Sequence, residues 1–323
     1  MTTTDTPPIW HTVIVGGGAA GLSAALILAR ARRRVLVLDG GEPRNRFAPH
    51  MHGVLGRDGS SPLDLVADGR REVRAADGVV ETARVATITA LEPGFELVTE
   101  GGESIRAARV IVATGLRDDL PRVPGLAEQW GRGVVACPYC DGYEAREKHI
   151  GVLPGSLAGL HKAQMLRSYS SRITVLGALV GGIPEEELRS LTARGISVDD
   201  RPVARVLSEG DRVTGVEFAD GAVLPIDVLF VDPAMSPLDG LLRRLDVERV
   251  DTPAGPWTRT DATQQTSVPG LYAVGNVATP WALVPIAMAE GVAAAVAINA
   301  ELVLEEVAAA LAAADVVDAE LAS

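Results

Sequence analysis

Short runs of apolar residues alternate with segments of helical periodicity in two parts of the chain. The runs Thr12–Val15 and Val35–Leu38 predict buried strands, and the segment from about Leu22 to Ala31 predicts a helix between them. A second unit of this kind starts with the predicted strand Ile150–Leu153 and a helix that follows it. Strand–helix–strand repeats predict an α/β fold with parallel sheets, here arranged in two domains.

The segment between these units has a different pattern. A helix is predicted at Pro62–Ala75, and three short alternating runs then predict an inserted β-meander: Arg84–Ala90, Phe95–Thr99 and Ser104–Ala107. A separate buried strand, Val110–Val112, ends in a turn of small residues, Ala113, Thr114 and Gly115. Proline and charge from Arg117 to Pro124 predict a linker.

The C-terminal part is predicted to be helical after one more strand. The run Gly270–Asn276 reads as a strand that ends at a glycine, and a long Ala-rich helix is predicted from Pro285 to about Asn299. A second, acidic helix is predicted at Glu301–Leu321.

Composition and charge exclude several classes of function. Apolar residues make up 47% of the 323 residues, which indicates a globular protein, and the net charge of −12 disfavours binding to nucleic acid. Charged residues interrupt every long apolar stretch, so no membrane span is predicted. Met1–Trp10 lacks a basic start and an apolar core, so no signal peptide is expected and a cytoplasmic location is predicted.

The first strand–helix–strand unit carries a dinucleotide-binding fingerprint. Gly16 permits a tight turn, Gly18 lets the backbone approach a pyrophosphate, and Gly21 lets the helix pack closely on the strand. Ala19 and Ala20 lie in the same glycine-rich run, before the predicted helix, whose N-terminus stabilises phosphate charge. Asp39, at the end of the second strand, is placed to accept a ribose hydroxyl.

The loop after Asp39 offers further candidates. Gly40 begins it, and Arg44 or Asn45 could contact the dinucleotide or belong to an ordinary surface loop. Two histidines follow, His50 and His52, which could face a cofactor or substrate or be solvated loop residues.

The only two cysteines lie in one motif, Cys137-Pro138-Tyr139-Cys140-Asp141. A pair two residues apart can form a redox disulfide, hold half of a metal site or be accidental. The histidines form no second pair spaced for zinc, so no metal is predicted. The nucleotide signatures before the pair favour redox chemistry.

Together these motifs resemble those of the thioredoxin-reductase-like flavoproteins over about His11–Asn299. The resemblance implies two Rossmann-like three-layer α/β domains and a homodimer. It implies a discontinuous FAD domain of residues 1–117 and 248–323, with the β-meander, and an inserted redox domain of residues 118–247. Four motifs carry it, in order: GGGAAG at 16–21, VIVATG at 110–115, CPYCDG at 137–142 and GLYAVGN at 270–276.

The resemblance also implies roles for individual residues. Cys140 would lie over the flavin and form the charge-transfer thiolate, Cys137 would exchange with substrate, and Asp141 would donate and accept the proton. The resemblance also implies FAD contacts from the turn Ala113–Gly115, which follows a buried strand. Gly275, Asn276 and Val284, which precede the last long helix, would contact FAD as well. At position 276 the family usually has Asp.

The sequence departs from that family at the second nucleotide site. There the turn reads Leu153-Pro154-Gly155-Ser156-Leu157-Ala158, in which Leu replaces the first glycine of the motif and Pro stands at its second position. No Lys or Arg occurs between Arg172 and Arg189. A 2′-phosphate without a cationic partner would be poorly held, which makes NADPH doubtful.

One branch of the family needs no NADPH. The sequence looks like the holomycin- and gliotoxin-type dithiol oxidases, which oxidise small dithiols and pass electrons from FAD to oxygen. Members of that branch often have His where this chain has Asp141. The alternatives are a reductase of a small redox protein, fed by NAD(P)H or ferredoxin, and a flavin-binding sensor without turnover.

Overall fold

The structure is a computed structural model, and it describes residues 9–157, 159–177, 179 and 182–321. The prediction about a leader rests mainly on residues 1–8, which lie outside this range. So do Ala158, Ala178, Val180 and Gly181, which belong to the two sequence stretches that made NADPH doubtful.

The described residues form nineteen strands and seven α-helices in chain order. The helices are α1 Ala19–Arg30, α2 Pro62–Ala75, α3 Pro138–Asp141, α4 Leu160–Leu166, α5 Glu185–Ala193, α6 Gly240–Arg243 and α7 Val284–Leu321. The first ten strands are β1 Trp10–Val15, β2 Val35–Asp39, β3 Val79–Thr82, β4 Val85–Ala90, β5 Phe95–Thr99, β6 Ser104–Val112, β7 Leu116–Asp119, β8 Val134–Val135, β9 His149–Leu153 and β10 Arg172–Leu176. The others are β11 Ser197–Asp199, β12 Val203–Glu209, β13 Arg212–Phe218, β14 Val223–Leu224, β15 Val228–Val231, β16 Ala234–Pro237, β17 Arg249–Thr252, β18 Gly255–Thr258 and β19 Leu271–Ala273.

The chain divides into two compact units. The first contains the residues up to Pro43, Leu63–Leu116 and the residues from Pro237 onward; the second contains Arg44–Pro62 and Arg117–Ser236. The FAD domain was predicted as residues 1–117 and 248–323, so the structure differs in two places. Residues 44–62 group with the second unit, where Arg44 bonds to Asp118 and Phe47 lies close to Gly131. Residues 237–247 group with the first, whose core includes Leu242 and Val247.

The sheet of the first unit has the order β3-β2-β1-β6-β5-β4, with β19 also paired to β6. Pairs around β1 are parallel, whereas β4, β5 and β6 pair antiparallel as the predicted meander. The sequence predicted separate strands at Ser104–Ala107 and Val110–Val112. They are one strand, β6, because residues 104–107 pair with β5 and residues 107–112 pair with β1 on the other side.

The C-terminal helix α7 is continuous, and the prediction of two helices was wrong. Neither Asn299 nor Ala300 is a helix-breaking residue, so the helix continues through both. Its first half packs on α1, where a Cβ on Gly291 would collide with the carbonyl oxygen of Ala20. By length and composition Val284–Asp315 could cross a membrane. Burial of Ala294, Ala295 and Ile298 instead makes this half part of the core.

The second unit has its own parallel sheet with the order β11-β10-β9-β15-β8, and an antiparallel sheet of β12, β13 and β14. Val152, Val175 and Phe230 lie in its buried core. The helix predicted after the strand Ile150–Leu153 is α4, and it ends at Leu166. The linker predicted at Arg117–Pro124 begins inside β7, which pairs with β16 in a two-stranded sheet.

Candidate redox and cofactor sites

The glycine-rich turn after β1 has the geometry of a phosphate-binding loop. Gly16 has a φ of +107°, and a Cβ there would collide with the carbonyl oxygen of Ala113. A Cβ on Gly18 would meet nothing within 4 Å, and no side chain caps α1 at this residue. The first turn of α1, Ala19–Gly21, therefore offers backbone N–H groups and open space to an anion.

Asp39 ends β2 beside this loop, and a Cβ on Gly17 would lie 2.6 Å from its carboxylate. One carboxylate oxygen accepts a hydrogen bond from the Gly41 N–H at 3.1 Å, and the other accepts one from the Arg70 guanidinium. Arg70 Nε is buried and has no hydrogen-bond partner among the described residues. A ligand with hydroxyl or phosphate oxygens would satisfy it, so these residues fit the adenosine part of FAD.

Two more turns of the first unit lie at the carboxyl ends of its strands. In the turn after β6, Gly115 has a φ of +74° and the Thr114 hydroxyl donates to the Leu238 carbonyl at 2.8 Å. In the turn after β19, the Gly275 N–H donates to the Glu290 carboxylate at 2.6 Å. Val284 begins α7. Because β6 and β19 are adjacent, these turns share one sheet edge with the glycine-rich loop.

Asn276 holds the loop that leads into α7. Its side-chain nitrogen donates to the carbonyl oxygens of Thr279, Pro280 and Ala282 at 3.1, 3.2 and 3.1 Å. The sequence predicted this side chain as an FAD contact. The structure shows its amide nitrogen engaged with the loop, a role that an Asp could not fill because a carboxylate has no N–H to donate.

The loop after Asp39 begins in the first unit and continues in the second. Gly40 belongs to the first unit, and a Cβ placed on it would lie 3.3 Å from the Arg84 guanidinium. Arg44 and Asn45 lie in the second, where Arg44 makes two 2.7 Å hydrogen bonds to Asp118 and the Asn45 carbonyl closes a turn with Ala48. Dinucleotide contacts from Arg44 and Asn45 stay predictions.

Cys137 and Cys140 form a disulfide in the second unit. Cys137 is the N-cap of α3, and its sulfur accepts a 3.2 Å hydrogen bond from the Cys140 N–H. A Cβ on Gly142 would lie 2.7 Å from the Tyr169 ring, so only glycine lets this short helix sit so close to its neighbour. Tyr139, between the cysteines, is 69% exposed, which shows that the motif lies at the surface of the unit.

Asp141, directly after the pair, is largely buried. Burial, reinforced by the negative charge of Glu144, raises the pKa of Asp141 from 3.8 to about 6, while the charge of His52 acts in the opposite direction. A carboxyl group with a pKa in this range can accept and release protons near neutral pH. The structure thus places an acid–base group beside the disulfide.

Lys162 and Asp232 lie at the carboxyl ends of β9 and β15. Lys162 donates to the Val231 carbonyl at 2.5 Å and lies 3.4 Å from Asp232. A Cβ on Gly155 would lie 2.6 Å from the backbone oxygen of Asp232, and a Cβ on Gly159 would lie 2.6 Å from its carboxylate. The turn after β9 therefore packs closely on Asp232.

Comparison with known proteins shows the family of this chain. The model of the family described as pyridine nucleotide-disulphide oxidoreductase matches residues 10–291. The chain belongs to this family. It is 30% identical to thioredoxin reductase tcpT of Claviceps purpurea over 298 residues, 89% of this chain and 92% of that protein. It is also 30% identical to thioredoxin reductase sirT of Leptosphaeria maculans, over 91% and 94% of the two chains.

Solved structures of family members agree. The crystal structure of HlmI superposes with a TM-score of 0.89 at 41% identity and covers 95% of this chain and 96% of its own. The predicted fold class and the resemblance to thioredoxin-reductase-like flavoproteins are confirmed. The chain is an FAD-dependent disulfide oxidoreductase of the thioredoxin-reductase type.

Several residues at these sites were missed in the sequence. Arg70 lies in the middle of α2 and Glu290 in α7, and nothing in their local sequence links them to Asp39 or Gly275. Glu144 has a detectable signal, because it follows Asp141 by three residues in a turn closed by the Ala145 N–H to Asp141 carbonyl bond. His52 was a candidate without an assigned partner, since only the fold brings residues 44–62 to α3.

Proposed function

We propose that this enzyme is a dithiol oxidase, which forms a disulfide in a small-molecule dithiol and uses oxygen as the terminal electron acceptor. The observation that carries the proposal is the second nucleotide crevice. Its turn has Leu153 and Pro154 at the first two positions of the nucleotide-binding motif, Lys162 is bonded to the Val231 carbonyl and lies beside Asp232, and the sequence has no Lys or Arg from 173 to 188 to hold a 2′-phosphate. The similarity to HlmI supports the same assignment.

The chemistry follows from the disulfide and its neighbouring carboxylate. Asp141 takes a proton from a substrate thiol, and the thiolate attacks the Cys137 sulfur, so that the Cys137–Cys140 bond breaks and Cys140 leaves as a thiolate. The second substrate thiol then attacks the mixed disulfide and releases the substrate disulfide. The two electrons now reside on the cysteine pair. FAD, held by residues 16–21, Asp39 and Arg70, supplies a two-electron acceptor for them when bound.

Serine variants test the exchange. Cys137→Ser and Cys140→Ser should each lose turnover of a small dithiol while retaining FAD, because residues 16–21, Asp39 and Arg70, which would hold FAD, lie in the other unit. Oxygen consumption measures turnover and flavin absorbance measures occupancy. Substantial activity in Cys140→Ser would contradict the mechanism.

An anaerobic titration tests the electron route. Flavin absorbance is followed while one sample receives NADPH or NADH and another receives dithiothreitol. We expect bleaching only by the dithiol, and recovery on admission of air. Prompt bleaching by NADPH would favour the second candidate, a disulfide reductase, which the naming of the relatives tcpT and sirT as thioredoxin reductases supports.

We also propose a homodimer in the cytoplasm. Two cysteines that form a single exchangeable pair suit a reducing compartment, and α7 carries an exposed row of apolar side chains that a second copy could cover.

A further inference from the structure

Glu290 is a half-buried carboxylate of α7 that is bonded to the turn after β19. It accepts a 2.6 Å hydrogen bond from the Gly275 N–H and a second one from the Thr279 side chain. The Gly275 carbonyl in turn accepts hydrogen bonds from the N–H groups of Ala278 and Thr279, at 3.0 and 2.8 Å. Glu290 therefore ties both ends of the turn Gly275–Thr279 to α7.

The same turn packs on the first turn of α1, within the first unit. Gly275 has a φ of +71°, and a Cβ there would lie 3.1 Å from the Ala20 Cβ. Gly291, which follows Glu290, lies equally close to α1, because a Cβ on it would collide with the Ala20 carbonyl oxygen. The turn, α7 and the N-terminus of α1 thus meet at Ala20, in the glycine-rich segment that offers N–H groups to a phosphate.

The partners of Glu290 differ from those of the glutamates further along α7. Glu301, Glu305 and Glu306 each pair with an arginine of the same chain. Glu290 instead bonds a backbone N–H and a hydroxyl-bearing side chain. Burial raises the pKa of Glu290, and its bonds to Thr279 and Gly275 act in the opposite direction. A side chain bonded in this way fixes the position of the backbone that donates to it.

We propose that Glu290 is a positioning residue for FAD, because its side-chain oxygen holds the Gly275 turn against the N-terminus of α1 where both backbone segments would meet the cofactor. Glu290 acts through Gly275 and does not itself touch FAD. A turn that is already fixed in place loses less conformational freedom when a ligand binds, so the bond increases the affinity for the cofactor. The inference concerns retention of FAD and is independent of what donates or accepts electrons.

Two substitutions separate the hydrogen bond from the charge. Glu290→Gln keeps the length of the side chain and an oxygen that accepts from the Gly275 N–H, but it removes the charge. Glu290→Asp keeps the charge but is one methylene shorter, so its carboxylate withdraws from that N–H. We expect the Kd for FAD to stay within about twofold of the wild type in Glu290→Gln and to rise roughly tenfold in Glu290→Asp, the effect of one lost hydrogen bond to a charged group.

The measurement is the release of FAD from the full-length holoprotein. Each protein is diluted in steps, and the fluorescence of the released flavin gives the Kd, while circular dichroism at the same temperature shows that the protein is still folded. Glu306→Asp is the matched control, because it makes the same change in the same helix at a glutamate that pairs with Arg33. Its Kd for FAD should equal that of the wild type.

The pattern across the variants decides the inference. A Glu290→Gln protein that binds FAD as weakly as Glu290→Asp overturns it, and so does a Glu290→Asp protein with the Kd of the wild type. If Glu290→Asp fails to fold, Glu290→Gln decides alone: tight binding supports the inference and weak binding by the folded protein contradicts it. Because FAD release is measured without turnover, a dithiol that fails to bleach the flavin contradicts the proposed function and leaves this inference standing.

Discussion

Asp141 is a carboxyl group whose ionisation is opposed by its surroundings. Burial is the largest cause of its raised pKa, and the Glu144 carboxylate adds to it. Sequence reasoning identified this residue from its place after the cysteines, but its pKa depends on packing that no local pattern encodes. The fold pairs a carboxyl that is costly to ionise with the disulfide that needs a proton acceptor.

This arrangement predicts a pH-dependent loss of stability. Below about pH 3 the carboxyl is protonated in the folded and the unfolded chain alike. As the pH rises from about 3 to about 6, the unfolded chain releases the proton and the folded chain keeps it, so the free energy of unfolding falls. The total loss is roughly 2–3 kcal/mol, since each pKa unit corresponds to about 1.4 kcal/mol.

Asp141→Asn should remove this loss. We expect the variant to be roughly 2–3 kcal/mol more stable than the wild type at about pH 8 and nearly equal to it at about pH 3. Urea unfolding of the oxidised protein at both pH values measures this. The same substitution should slow reduction of the flavin by dithiol about 100-fold, because it removes the base. If the difference in stability between Asp141→Asn and the wild type were the same at both pH values, the folded protein would not oppose the ionisation of Asp141.

At the scale of elements, the sequence predicted the strands and the Rossmann-like units well, because buried parallel strands are nearly continuous apolar runs. The bounds of α2 and β5 are as predicted, whereas β6 was divided in two and α7 was cut at Asn299. In both places the missing information is tertiary: β6 exchanges its partner strand part-way along, and the first half of α7 is stabilised by packing on α1.

The three hydrogen bonds from Asn276 to carbonyl oxygens of the loop before α7 could not be predicted from a sequence motif either. We expect Asn276→Asp to destabilise the protein by roughly 2–4 kcal/mol, because it sets an unpaired carboxylate against those oxygens. Asn276→Ala, the control, only removes the bonds and should cost about 1–2 kcal/mol. Thermal unfolding and retained flavin absorbance measure both. A stable Asp variant with full flavin would mean that the loop can rearrange around the charge.

At the scale of the whole molecule, one face of α7 is apolar and exposed. Its exposed side chains recur at helical spacing and are Val292, Val296, Val303, Leu304, Val307 and Leu311. The neighbouring acidic residues Glu301 and Glu306 are instead paired with Arg109 and Arg33 of the same chain. The face therefore combines apolar area with few unpaired charges, as an interface between subunits does.

Introducing charge into this face tests the homodimer. Leu304→Glu with Leu311→Glu should convert the dimer to a monomer, because a buried, unpaired carboxylate is costly at an apolar interface. Ala309→Glu, which lies on a different side of the helix, is the control and should remain dimeric. Light scattering after size-exclusion chromatography gives the mass. A monomeric wild type would contradict the proposal.

Residues 44–62 are supplied to the second unit from a distant part of the chain, between β2 and α2 of the first. A recombinant fragment of residues 117–236 would thus contain the cysteine pair but lack His52, Asp58 and the contact of Phe47 with Gly131. We expect it to fold poorly by itself and to gain order when a synthetic peptide of residues 44–62 is added in trans. The second unit is built from two separate segments of the chain, so no single continuous fragment contains all of it.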